Sequence, residues 1–205
     1  MTLESLKLEL EAQFPGCRLE IISNPSPSEQ HSLLIDPDFA VQIAMFLRDA
    51  PHLQFDYCSN VTGIDWPTPD DPSKAKLEAM EEDLEQDAEE CAKAGYLEVV
   101  YHLYSMRNKQ GPVILRMRTC DRGLRVHLPS LTPVWRSADF QEREIFDLFG
   151  VIFDGHSDLR RILMWDEFRD HPMRRDYVEP DDYEYEPTAH DEVLRRTMQH
   201  HAKQP

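Results

Sequence analysis

Two alternating runs, Tyr96–Met106 and Val113–Thr119, restrict the fold more than any other feature of the chain. In the first, Leu97, Val99, Tyr101 and Leu103 interleave with Glu98, Val100, His102 and Tyr104. In the second, Val113, Leu115, Met117 and Thr119 interleave with Ile114, Arg116 and Arg118. A period of two sends successive side chains to opposite faces of a strand, so each run predicts one core face and one wetter face. The polar link Arg107–Pro112 contains Gly111, and the pair reads as an antiparallel hairpin.

The residues before the hairpin supply the rest of a layered domain. Leu3, Leu6, Leu10 and Phe14 recur at helical spacing among Glu4, Lys7, Glu9 and Glu11, and Pro15-Gly16 closes that helix. Arg18–Ser23 is a short strand followed by a Pro/Ser turn at Asn24–Ser28, and His31–Ile35 is extended. Asp36 before Pro37 is the N-cap pairing of a second helix, whose apolar face is Phe39, Ile43, Phe46 and Leu47. Leu53–Asp65 reads as a strand with an irregular end. Helix, strand, helix, strand and hairpin in that order predict an α+β fold, a mixed or antiparallel sheet with helices packed on it.

Beyond the hairpin, Leu128–Trp135 contains Pro129 and Pro133 and reads as a connector. Ser137 or Asp139 would N-cap a helix ending near Phe149, with Gly150 as its stop. The expected organisation is therefore an α+β domain at 1–135, a motif helix and turn at 136–164, and a tail at 165–205. The tail carries Pro172, Pro180 and Pro187 and no sustained period, so it is expected to be extended over a partner or disordered.

Charge narrows the function classes. The formal net charge is −17, from 39 acidic against 22 basic residues. Nucleic-acid phosphates and anionic lipid surfaces both call for clustered Lys and Arg, so neither is an expected partner. Residues 70–93 hold ten acids against Lys74, Lys76 and Lys93, which accounts for seven of the seventeen negative charges. Leu77, Met80, Leu84, Ala88 and Cys91 recur there at helical spacing, and an acidic, solvated helical insertion at about 70–94 is expected. Cys17, Cys58, Cys91 and Cys120 form no CxxC, so no locally assembled zinc or iron–sulfur site is expected; reduced, buried thiols are the plain reading. Met1–Phe14 lacks the apolar run of a secretory signal, and no stretch approaches the roughly 20 apolar residues of a membrane span.

The densest chemistry lies in Glu142-Arg143-Glu144-Ile145-Phe146-Asp147-Leu148-Phe149-Gly150. On a helix Arg143 and Asp147 stand one turn apart and can pair, while Glu142 and Glu144 point away from each other and cannot flank one bond. Phe153-Asp154-Gly155-His156 reads as a tight turn. His156 has no second His or Cys at ligand spacing, so a backbone-bonded turn histidine is expected rather than a metal ligand. Arg160, Arg161, Arg174 and Arg175 are the concentrated basic residues of an acidic chain, a candidate for docking an acidic surface.

Glu142–Val151, then Phe153-Asp154-Gly155-His156, then Leu159-Arg160-Arg161-Ile162-Leu163 resemble the motif of the C-type, or 30-kDa, subunit family of the proton-pumping NADH:quinone oxidoreductase, respiratory complex I. His171-Pro172-Met173-Arg174-Arg175-Asp176-Tyr177 is similar to that family's later basic element, and Ser157 departs from it, since a Pro usually follows the Gly-His pair. The resemblance implies a non-redox subunit of the hydrophilic arm, on the cytoplasmic side of a bacterial inner membrane. It implies docking on the quinone-site subunit, with FMN, Fe-S clusters and quinone held by partner subunits and none by this chain. It further implies partner contacts at Glu142, Arg143, Glu144, Asp147, Gly150, Gly155, His156, Arg160, Arg161, Arg174 and Arg175, with no catalytic or metal residue. The chain's own motifs agree with that absence of cofactors: no Gly-rich phosphate loop is present. Two alternatives stay open, the homologous subunit of a membrane-bound hydrogenase or other-donor complex, and a free-standing acidic adaptor.

Overall fold

The computed structural model describes residues 2–68, 95–123 and 126–178. The acidic insertion expected at about 70–94 and the end of the tail, 179–205, lie outside them. The elements are α1 (Leu3–Gln13), β1 (Leu19–Ile22), β2 (Ser32–Ile35), a 3-10 turn (Pro37–Phe39), α2 (Ala40–Asp49), β3 (Tyr57–Trp66), β4 (Tyr96–Ser105), β5 (Gln110–Arg118), β6 (His127–Pro129), α3 (Ala138–Phe149) and β7 (Ile152–Asp154). The five-stranded sheet runs β1-β2-β5-β4-β3. Its β2–β5 pair is parallel and the other three pairs are antiparallel, so the fold is the expected α+β type with a mixed sheet.

Local chemistry starts the first helix and the turn before the second. The Thr2 hydroxyl accepts from the Ser5 amide at 3.2 Å at the start of α1. The Asp36 carboxylate accepts from the Asp38 amide at 3.1 Å and so caps the 3-10 turn that leads into α2, rather than α2 itself, whose N-cap is Phe39. The hairpin pairs Val99 with Met117, Tyr101 with Leu115 and Leu103 with Val113. These residues form one core with Leu6 and Leu10 of α1, Ile43 and Leu47 of α2, and Ile145 and Phe149 of α3. α3 reaches the sheet at Gly63, where an added Cβ would stand 2.7 Å from Cδ2 of Phe149 and 3.2 Å from Cγ2 of Ile145. A larger side chain there would push the helix off the strand.

Four further expectations are corrected. β3 begins at Tyr57 rather than Leu53, because the amides of Leu53 and Gln54 bond to Ala50 O and that of Phe55 to Leu47 O at the end of α2. Leu53 and Phe55 are core residues all the same, both 0% exposed. The stretch expected as a connector contains β6, which pairs in parallel with β7 through Leu128 and Phe153. Pro129 is tolerated because it ends its strand in a sheet of only two. The second face of β4 is not wet, since Glu98 is 0% and Val100 4% exposed. Of the cysteines, Cys58 is buried and burial, with the Glu142 charge, pushes its thiol up to about 12, but Cys17 is half-buried and Cys120 exposed.

Candidate functional site

α3 buries Glu142, Arg143 and Asp147 along with its apolar residues. Charges that leave water need partners, and each of these has its own set. Ser137, at the N-cap position, donates its hydroxyl to Cys58 O on β3 at 2.8 Å and makes no cap bond to its own helix. The expected N-cap instead ties the helix start to the sheet.

Glu142 is fully buried and faces the sheet. Its carboxylate accepts from the Tyr101 hydroxyl at 3.0 Å, the Leu131 amide at 2.9 Å and the Ser130 hydroxyl at 2.7 Å. Burial raises the Glu142 carboxyl above its ordinary value, and the three donors only partly offset that. Farther along the helix, Asp147 accepts from Nη1 of Arg161 at 2.6 Å and from the amides of Ile162, Leu163 and Met164 at 3.0, 2.7 and 2.8 Å. Burial alone would raise the Asp147 carboxyl; those amides and the guanidinium outweigh it and hold it below the usual range.

The expected Arg143–Asp147 pair is therefore not made. Arg143 donates to Arg160 O and Arg161 O at 3.2 and 3.3 Å and lies 3.7 Å from the Asp158 carboxylate. Both side chains leave the helix toward the loop after β7, which presents carbonyls to the guanidinium and amides to the carboxylate. A single pair between them would have left most of those groups unbonded.

The end of α3 is closed by residues far along the chain. Gly150, at φ +79, donates its amide to Phe146 O, as the expected stop does. Asp147 O accepts from Arg161 and bonds to Nδ1 of His171 at 3.0 Å, Leu148 O accepts from the Met173 amide at 3.1 Å, and Phe149 O accepts from Nε of Arg174 at 2.6 Å. The last four carbonyls of the helix, which have no partner inside it, are all satisfied. Gly150 also makes room, because an added Cβ would lie 2.5 Å from Nε2 of His171.

The same segment reaches β3. The Arg175 amide donates to Asp65 at 2.7 Å, and Arg122 grips that buried carboxylate with Nε and Nη2, each at 2.6 Å. Arg122 also meets Asp176 at 3.1 Å, and Arg174 donates to Arg122 O at 2.8 Å. Trp165, Phe168 and Tyr177 follow one another at 4.8 and 6.3 Å between ring centroids. Residues 165–178 thus fold back on the motif helix.

The four arginines expected to form one basic patch are divided. Arg161 and Arg174 are held inside this clasp. Arg160 is exposed beside Asp158 at 3.0 Å, and Arg175 is exposed as well. Glu144 and Gly155 are also at the surface. His156 is enclosed, Nε2 standing 3.2 Å from Asp139 O and Nδ1 accepting from the Asp158 amide at 3.1 Å. Asp65, Tyr101, Arg122, Ser130 and His171 are site residues that sequence spacing does not reveal, since their partners lie far along the chain. Among the described residues no group of three His, Cys, Asp or Glu is placed to hold a metal ion.

His171 gives the clasp a pH dependence. Burial lowers its pKa; the Asp147 carbonyl bond and carboxylate oppose that, and Arg174 and Arg161 reinforce it. A histidine depressed in the folded state contributes most above the unfolded value of about 6.5, and that contribution is lost as pH falls toward the folded value. Protection factors of the 171–177 amides, exchange taken relative to the intrinsic rate at each pH, should therefore fall between pH 7 and pH 5.5, and His171→Gln should flatten the change.

Residues 33–183 match the family described as "Respiratory-chain NADH dehydrogenase, 30 Kd subunit". The chain is 35% identical over 148 residues to the second C-type subunit of the NADH-quinone oxidoreductase of Rhizobium meliloti (strain 1021), covering 72% of this chain and 65% of that one. It is 38% identical over 146 residues to the C-type subunit of the NADH-quinone oxidoreductase of Salinispora tropica, covering 71% and 49%. The match thus spans between about half and two thirds of these relatives' lengths. A solved structure of the membrane-bound sulfane sulfur reductase, an archaeal respiratory membrane complex, shares the fold, with a TM-score of 0.58, 17% identity and 85% of each chain covered.

Proposed function

Since the chain belongs to the 30-kDa subunit family of the respiratory-chain NADH dehydrogenase, we propose that it is a non-redox scaffold of the hydrophilic arm of an NADH:quinone oxidoreductase. In that reading electrons pass from NADH through FMN and Fe-S clusters to quinone, coupled to proton translocation, all on partner subunits. This chain docks on the quinone-site subunit and holds it in register with the other arm subunits. It sits peripherally on the cytoplasmic side of a bacterial inner membrane; among the described residues no helix is long and apolar enough to cross one.

The observation that carries the reading is the family match across 33–183, which takes in both α3 and its clasp. The charged residues inside that unit are occupied by the chain itself, so docking falls to what they leave outside. Phe140, Glu144 and Leu148 are spaced four apart on one side of α3, and Met173 continues past its end. Phe140 is 62% and Met173 56% exposed, and Leu163 is 56% exposed in the neighbouring loop. Large apolar side chains held in the open on a rigid frame are what a partner surface uses as anchors.

Affinity purification of the tagged full chain, with mass spectrometry of what comes with it, tests the reading. The quinone-site subunit should be recovered with it, and Phe140→Asp with Met173→Asp should cut that recovery at least tenfold while the chain's own melting temperature holds. A chain that purifies alone as a stable monomer from cells containing the arm would overturn the proposal.

A further inference from the structure

The sheet has a second buried face that the core does not use. Tyr96, Val100 and Ile114 are 7%, 4% and 6% exposed, yet none belongs to the cluster in which the three helices meet β4. Beside them lies Glu98, fully buried, accepting from the Trp66 indole and from Arg116, both at 3.0 Å, and from Arg118 at 2.9 Å. Two guanidinium groups on one carboxylate leave one positive charge unmatched within this cluster, and Glu20 attracts Arg118 more weakly than Glu98 does. Nε of Arg116 and Nδ1 of His102, on the adjacent strand, are buried and have no partner among the described residues. A buried guanidinium N–H without an acceptor is costly, so the face calls for a further acceptor. Burial and the neighbouring Arg116 lower the His102 pKa, so that ring adds no charge near neutral pH.

The course of the chain shows what is within reach. Trp66, the last residue of β3, pairs directly with Tyr96, the first of β4. Residues 69–94 therefore leave and return at one point of the sheet, next to the ring under Arg118, whose guanidinium lies 4.7 Å from the Tyr96 centroid. That stretch holds ten acids against three lysines. Being tethered at both ends, it meets the arginines at an effective concentration that a separate partner would not match.

We propose that this arginine-bearing face is an intramolecular docking site, and that its occupant is the acidic stretch 70–93 of the same chain, whose carboxylates answer the unmatched positive charge of Arg116 and Arg118. Charge complementarity chooses the occupant and the apolar residues Val100 and Ile114 supply the contact.

Arg116→Lys in the full chain places an amine on the face, and zero-length carbodiimide coupling followed by peptide mass spectrometry reads which carboxylate it touches. Arg118→Lys provides a second position if the first variant loses its far-UV spectrum. The expected product joins one of these positions to an acid between Asp70 and Glu90, with a yield that falls severalfold in 1 M salt, as roughly expected when the screening length drops to about 3 Å. Mixing with isotope-labelled copies identifies bonds between molecules, and repeating the reaction on the assembled complex identifies bonds to other subunits. Coupling only to Glu98, to acids elsewhere in the chain, to a second copy or to another subunit, or no coupling at either position, overturns the proposal.

Discussion

Asp147→Ala should unfold at markedly lower urea than the parent chain, with a loss of about 3–5 kcal/mol, the range for removing one partner of a buried charge pair. The substitution strips an acceptor from the Ile162, Leu163 and Met164 amides and leaves Arg161, only 13% exposed, without its carboxylate. The released loop carries Arg160 O and Arg161 O away from Arg143, so the damage spreads to a second buried charge. Asp147→Asn keeps the shape and removes the charge, and its effect shows in the pH profile. The wild-type carboxyl lies below its unfolded value of about 3.9, so its contribution is present above that pH and is lost as pH falls through the folded value. Equilibrium unfolding between pH 2.5 and pH 6 should show a shallower acid slope for Asp147→Asn than for wild type.

Glu142 gives the opposite pattern from the same helix. Glu142→Ala orphans the Tyr101 hydroxyl and the Leu131 amide and leaves the Ser130 hydroxyl only Thr132 as partner, and a loss of about 3 kcal/mol is expected from the buried groups left unbonded. Glu142→Gln should stay within about 1 kcal/mol of wild type, because an amide oxygen can accept from Tyr101 and Leu131 while the amide NH2 donates to Ser130. The wild-type carboxyl is raised in the folded state, so the folded form holds a proton that the unfolded form has already given up. Stability therefore falls as pH rises from the unfolded value of about 4.3 through the folded one, and Glu142→Gln should be relatively more stable at pH 8 than at pH 4. The two isosteric amides thus separate a carboxylate kept charged by its neighbours from one that burial works against.

The parts of this architecture that can be read from the chain are those set by near neighbours. The β4–β5 hairpin declares itself through period two, and the Asp36-Pro37 start and the Gly150 stop through the demands of helix ends. Glu142 and Glu144 separate as their spacing requires, one buried and one exposed. What stays hidden depends on contacts between distant segments. Helical spacing allows Arg143 and Asp147 to pair, but the loop after β7 offers each of them a larger set of bonds. Arg161 and Arg174 look like their neighbours Arg160 and Arg175, and only the closing of α3 divides the clasp residues from the exposed ones. Asp65 and Arg122 bond across the fold from opposite sides of the acidic insertion and carry no local signal at all. The three-residue strand β6 is too short, and too close to two prolines, for an alternating pattern to register.

Turnover counted per assembled complex bears most directly on whether these buried charges build a frame or take part in the reaction. Arg143→Gln and Asp147→Asn should lower the amount of arm that contains this chain, while each complex that does form oxidises NADH with quinone at the wild-type rate. Normal amounts of complex whose turnover has collapsed would contradict the account and move the charges of α3 into the chemistry.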